Sequence, residues 1–150
     1  MNPNETGPDP ERVSSVLFLC GMNAIRSPMA EAIARTLLPQ GVYISSAGVR
    51  AGERDPFVDI VLSEHGISLL DHEPRVFDGM EDTSFDLIVT MAPEAHHVAL
   101  DETGTQSVFV EFWPMPDPSA AEGTRNQILD AYRELYDRIE TRIKERFALP

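Results

Sequence analysis

A chain of 150 residues with 42% hydrophobic and 25% charged residues has the size and balance of one domain with a real hydrophobic core. Its net charge of −13 excludes wrapping a nucleic acid, which needs a basic face. That charge also repels anions at long range, so an anion site must be built from a local cluster of donors.

The opening stretch MNPNETGPDPERVS lacks the apolar centre of a signal peptide and reads as a flexible tail over residues 1–13, with a single domain expected over 14–150. One cysteine allows no internal disulfide and fits a reducing, cytoplasmic setting. No apolar run has the length of a membrane span, so neither a membrane nor a nucleic acid is an expected partner.

From Ser15 onward, strand-like and helix-like segments alternate. SVLFLC is a short apolar run suited to a strand covered on both faces. SPMAEAIARTLLPQG follows with Ala30, Ile33, Ala34, Leu37 and Leu38 on one helical stripe; Ser27 is placed to cap it, Pro28 to sit in its first turn and Gly41 to end it. VYISSAG predicts a second strand and PFVDIVLSEHG a second helix closed by Gly66. FDLIVTMA is a third strand, PEAHHVALD a helix opening on Pro93, and SVFVEFW a fourth strand. A last helix over about 125–147 carries Ile128, Tyr132, Leu135, Ile139 and Ile143 at steps of three and four. Four strands separated by helices predict an α/β three-layer sandwich: a four-stranded parallel sheet with helices on both faces. Ligands of such sheets lie beyond the carboxyl ends of the strands, where Cys20 sits.

The loop CGMNAIRS separates the thiol of Cys20 from the guanidinium of Arg26 by five residues and runs directly into a helix start. A loop this short can turn several backbone N–H groups inward, and the positive end of the helix adds to that nest. Arg26 contributes a planar fork for two oxygens of a tetrahedral oxyanion. The same donors favour a thiolate, which makes Cys20 a candidate nucleophile toward a bound phosphoryl group. A nucleotide-binding P-loop is excluded because the lysine and Ser/Thr it needs are absent. His96 and His97 are adjacent and point apart on a helix, and no further ligands stand at metal-like spacing, so no metal is expected. His65 is placed near a helix end and Trp113 in the core.

With these residues in view, the chain resembles the low-molecular-weight protein tyrosine phosphatases. Their signature, a first strand ending in C-x5-R-S-P, reads here VLFLCGMNAIRSPMAEA. The resemblance extends to SSAGV, HGISLLDH and the PDP at 116–118. It implies the phosphotyrosine protein phosphatase I-like fold and hydrolysis of a phosphomonoester through a cysteinyl-phosphate intermediate, without metal or organic cofactor. By this resemblance Cys20 is the nucleophile, and Arg26 with the loop Gly21, Met22, Asn23, Ala24, Ile25 and Ser27 holds the phosphoryl group. Asp117 is the general acid. Asn23 takes an unusual backbone conformation braced by Ser27, Ser46 and His72. The implied partners are a phosphorylated protein or small phosphomonoester and inorganic phosphate or another oxyanion.

An ordinary aspartate has a pKa of about 4, so the acid role requires either a raised pKa at Asp117 or a rate maximum below neutrality. The family loop usually carries glycine at Met22 and a second cysteine at Ile25. Gly21 here offers the glycine shifted by one position, and Ile25 removes the partner that could trap the nucleophile as a disulfide. After the DP the family often has tyrosines where this chain has SAAEG. Some relatives act on phosphoarginine, and Ala24 occupies the loop position where residue size discriminates. The fold is shared with thioredoxin-coupled arsenate reductases, whose late loop WPMPDPSAAEG resembles. A reductase built on this chain needs an external thiol. A weakly active oxyanion-binding module is the non-enzymatic alternative.

Overall fold

The computed structural model describes residues 8–69, 72–79, 84–103 and 108–150. Four strands, β1 (Ser15–Cys20), β2 (Tyr43–Gly48), β3 (Leu87–Thr90) and β4 (Phe109–Phe112), alternate with four helices. These are α1 (Arg26–Leu37), α2 (Pro56–Glu64), α3 (Pro93–Thr103) and α4 (Arg125–Arg146). The sheet is parallel throughout in the order β2-β1-β3-β4.

The period of two in β1 divides the core. Val16, Phe18 and Cys20 face α1, α2 and α4 in one apolar cluster, whereas Leu17 and Leu19 face α3 through Ala95 and Ala99 in another. Being covered on both faces is why β1 and β3 read as unbroken apolar runs. β4 forms one edge of the sheet, and its Phe109 and Phe112 are exposed. This three-layer architecture is the one the sequence predicts.

Element ends differ from the sequence reading where local chemistry intervenes. Residue 107 of the predicted fourth strand lies outside the described residues, and β4 starts at Phe109. α1 begins at Arg26, and Ser27 does not cap it: no side chain caps this helix, and Ser27 is buried with its hydroxyl engaged elsewhere. α2 is capped by Asp55, which accepts from Phe57 N at 2.9 Å, and α4 by a capping box of Thr124 and Gln127. His65 ends α2 and stacks on Tyr136, with ring centres 3.8 Å apart.

Before β1, Pro10–Arg12 form a single 3-10 turn, Val13 is buried, and Pro8 O accepts from Arg146 Nη2 at 2.8 Å. Arg146, which is buried, and the partly buried Glu111 make an ion pair at 2.8 Å that ties the end of α4 to β4. The same Glu111 accepts from Trp113 Nε1 at 3.2 Å. Trp113 is thereby fixed in the core, edge-on to Phe18 and beneath the Arg142 guanidinium. It is the anchor from which residues 114–120 run across the carboxyl edge of the sheet.

β1 has β2 on one side and β3 on the other, so the chain leaves it in one direction and returns on the other. The carboxyl end of β1 is therefore the switch point at which such sheets bind ligands.

Candidate active site

The loop from Cys20 to Arg26 is fixed by its carbonyl groups. Cys20 O, Gly21 O and Met22 O accept from Val49 N (3.1 Å), Arg50 N (2.8 Å) and Gly52 N (2.9 Å). With its carbonyls turned to that segment, the loop presents its amides to the other side. None of the N–H groups of Gly21–Ile25 donates to an acceptor among the described residues, and α1 starts at once. These donors, with the N–H groups of Arg26 and Ser27 at the start of α1, point to no acceptor among the described residues and can hold an anion; the next donor, Met29 N, is already bonded to Ile25 O at 3.1 Å.

The left-handed residue of the loop is Asn23, with φ 51°, a conformation asparagine tolerates better than most residues. Its Nδ2 donates to Ser27 Oγ at 3.0 Å and its Oδ1 accepts from Arg75 N at 2.9 Å. The Asn23 backbone lies close enough to the His72 imidazole to favour its protonated form. Gly21 is not in the left-handed region, so the idea that a shifted glycine supplies the freedom of the loop is corrected. The glycine that the loop needs is Gly48. A Cβ there would lie 2.6 Å from Asn23 N, 2.6 Å from Arg50 O and 2.7 Å from Met22 C. All three are backbone atoms that cannot move aside.

Ser46 does not brace Asn23. It pairs with Phe18 in the sheet and so points to the α1 face, where its hydroxyl donates to Glu31 Oε1 at 2.8 Å. Glu31 is buried and also pairs with Arg35 at 3.3 Å. Burial pulls the His72 imidazole below its ordinary value, against the opposing charge of Glu31. Glu31 is thus the buried partner of Ser46, and sequence reasoning missed it. The available signal was its place four residues after Ser27, on the same face of α1.

Cys20, Ala24, Ile25, Arg26 and Asp117 line one cavity of about 80 Å³, together with Met22 and Ser119. That volume is a few waters' worth and suits a small anion. Cys20 Sγ lies 2.9 Å from Ser27 Oγ. Arg26 Nη1 donates to Met115 O at 3.2 Å and, at the limit of 3.5 Å, to Met91 O, so the ends of β3 and of the segment after β4 aim the guanidinium.

Asp117 begins a short turn and accepts from Ser119 N at 2.9 Å and Ser119 Oγ at 2.7 Å. Burial pushes its pKa up, but the Ser119 hydroxyl and amide and the Arg26 charge outweigh it and hold the carboxyl below its ordinary value. The raised pKa offered as one possibility is thus not found. At the rim, Arg50 grips Glu94 through two contacts of 3.0 Å beside Gly21 and holds the Glu94 carboxyl below its usual range. His96 Nδ1 is 2.9 Å from Thr90 Oγ1, and His97 faces Asp101, so the adjacent histidines do point apart.

The sequence model described as low molecular weight phosphotyrosine protein phosphatase matches residues 15–148. The chain belongs to that family. Among curated relatives it is 30% identical over 132 residues to the arsenate reductase of Bacillus subtilis, covering 87% of this chain and 92% of that one. It is 34% identical over 115 residues to EpsP of Ralstonia solanacearum, a probable low molecular weight protein-tyrosine-phosphatase, covering 71% and 79%. The crystal structure of the Erwinia amylovora tyrosine phosphatase AmsI superposes with a TM-score of 0.72 at 25% identity, covering 91% of each chain. The fold and the loop of this phosphatase family thus recur here on a chain with a single cysteine.

Proposed function

We propose that the protein hydrolyses phosphomonoesters through a cysteinyl-phosphate intermediate, with phosphotyrosine on proteins as the first-choice substrate. The observation that carries this reading is the convergence of Cys20, Arg26 and Asp117 on one small cavity in a chain of this family.

In the first step the Cys20 thiolate attacks phosphorus. The S–P bond forms, the ester P–O bond breaks, and Asp117 gives its proton to the departing oxygen. Arg26 and the loop amides hold the equatorial oxygens as charge shifts across them. In the second step the Asp117 carboxylate takes a proton from water, the water oxygen bonds to phosphorus, and the thiolate leaves. Inorganic phosphate is the product.

The low pKa of Asp117 supports a rate maximum on the acid side of neutrality. We also place the protein in the cytoplasm, where a lone cysteine stays reduced; no helix among the described residues is long and apolar enough to cross a membrane.

A second reading, arsenate reduction, draws on the Bacillus subtilis relative. With one cysteine in the chain, it needs an external thiol to resolve an adduct on Cys20.

Hydrolysis of para-nitrophenyl phosphate by wild type, Cys20→Ser and Asp117→Ala tests the proposal. Turnover in wild type, lost in Cys20→Ser with phosphate still bound, supports it. Phosphate binding without turnover in wild type points to an oxyanion-binding module, and arsenate reduction dependent on added thiol to the second reading.

A further inference from the structure

Met22 is a large apolar side chain, 48% exposed, at the edge of the Cys20 cavity. Among the described residues the other large exposed apolar side chains are Tyr43, Leu100, Phe109 and Phe112, and none of them lines this cavity. Water contact at Met22 has a cost that a bound apolar group would remove.

The side chain is supported from behind. Its Cβ and Cε lie 3.0 and 3.1 Å from the point where a Cβ on Gly52 would stand, and Gly52 N donates to Met22 O at 2.9 Å. The thioether chain is therefore laid along the Gly52 backbone, and about half of the residue stays exposed beside the cavity. The neighbouring flank of the loop differs: at Gly21 the ion pair of Arg50 and Glu94 occupies the rim. One flank of the mouth is charged and the other is apolar and polarisable.

We propose that Met22 is a specificity-determining residue that packs against a flat apolar leaving group and so selects aryl phosphates over short alkyl phosphates. The inference rests on the phosphatase reading and deepens it. A thioether makes favourable contacts with an aromatic ring and adapts to its shape, and a short alkyl group offers no such face. The SAAEG segment carries no aromatic side chain to take this role.

The test compares binding of phenylphosphonate and methylphosphonate, which cannot be hydrolysed, to wild type, Met22→Ala, Met22→Gln and Met22→Leu by calorimetry. Met22→Ala and Met22→Gln weaken phenylphosphonate about five-fold more than they weaken methylphosphonate, while Met22→Leu keeps the wild-type ratio of the two affinities. Should Met22→Ala disturb the loop, both ligands weaken, and Met22→Gln, of similar length, decides. Equal weakening of both phosphonates in Met22→Gln, or no change in either, overturns the proposal. Because these ligands need no turnover, the result stands apart from the hydrolysis assay: a protein that binds them and hydrolyses nothing sinks the phosphatase reading and leaves the binding comparison intact.

Discussion

Cys20 Sγ and Ser27 Oγ lie 2.9 Å apart, and the serine hydroxyl is also 3.2 Å from Ala47 O and receives Asn23 Nδ2 at 3.0 Å. A hydroxyl has one proton. When the sulfur is a thiol, Ser27 can give that proton to Ala47 O and accept from the S–H; when it is a thiolate, the proton turns to the sulfur. Asn23 donates in both states, so the hydroxyl oxygen is held in place while its proton moves.

Ser27→Ala removes the hydrogen bond available to the thiolate. A bond to a charged group is worth about 1.5–3 kcal/mol, so kcat/KM for para-nitrophenyl phosphate should fall about ten- to a hundred-fold. Alkylation of Cys20 by iodoacetate at a fixed mildly acidic pH should slow in parallel. Unchanged alkylation would separate Ser27 from the nucleophile.

If Asp117 is the acid of the proposed mechanism, its lowered carboxyl pKa should set the pH profile. The acid must be protonated to serve the leaving group, and its protonated fraction falls as pH climbs through its pKa. kcat/KM should therefore decline from the acid side toward neutrality. Ser119→Ala keeps the backbone donor and deletes the hydroxyl at 2.7 Å, which raises the carboxyl and moves the declining limb to higher pH by up to about one unit. A limb that stays in place in Ser119→Ala removes Asp117 as its source.

Asp117→Asn should cost more as the leaving group worsens. General acid catalysis contributes about 10²–10⁴-fold, and a nitrophenolate needs the proton least. The ratio of wild-type to variant kcat/KM should climb from para-nitrophenyl to phenyl to alkyl phosphates. A ratio constant across the series would assign Asp117 to binding.

Gly48→Ala drives a methyl group into three backbone atoms of the loop and its neighbour. Overpacking of this kind costs about 1–3 kcal/mol, read as a drop of several degrees in Tm together with loss of phosphate binding. Ala47, one residue earlier on the opposite face of β2, is the control: Ala47→Gly should lower Tm and spare phosphate affinity.

Ile25 packs against the core and Cys20 is the sole cysteine. Peroxide should carry Cys20 past the sulfenic acid, since no second thiol in the chain can capture it. Mass spectrometry should find sulfinic acid at Cys20 and activity that dithiothreitol restores only in part. Full recovery contradicts this.

The sheet, its helices and the loop were legible in the sequence because they are local. An apolar run ends at Cys20, a helical stripe follows within six residues, and the C-x5-R spacing lies within one turn of chain. Asn23 and Asp117 were picked out through the resemblance of CGMNAIRS and of the PDP at 116–118 to the family. What escaped depends on contacts across long separations. Gly48 matters because β2 lies against the Cys20–Asn23 backbone, which one glycine in SSAGV does not announce. Ser46 was misassigned because the buried carboxylate that takes its hydroxyl, Glu31, stands 15 residues away on α1. The direction of the Asp117 shift required the fold to put Ser119 and Arg26 beside it. The link from Tyr132 to Asp55 at 2.7 Å, which joins α4 to α2, spans 77 residues and left no sequence signal.

The covalent intermediate is tested most directly by rapid acid quench of Asp117→Ala during turnover of para-nitrophenyl phosphate, followed by peptide mass spectrometry. Without the carboxylate to activate water, the account predicts accumulation of a phosphoryl group on the peptide containing Cys20, absent from Cys20→Ser treated in the same way. Hydrolysis that proceeds with no phosphoryl group on Cys20, or with one on another residue, would contradict it.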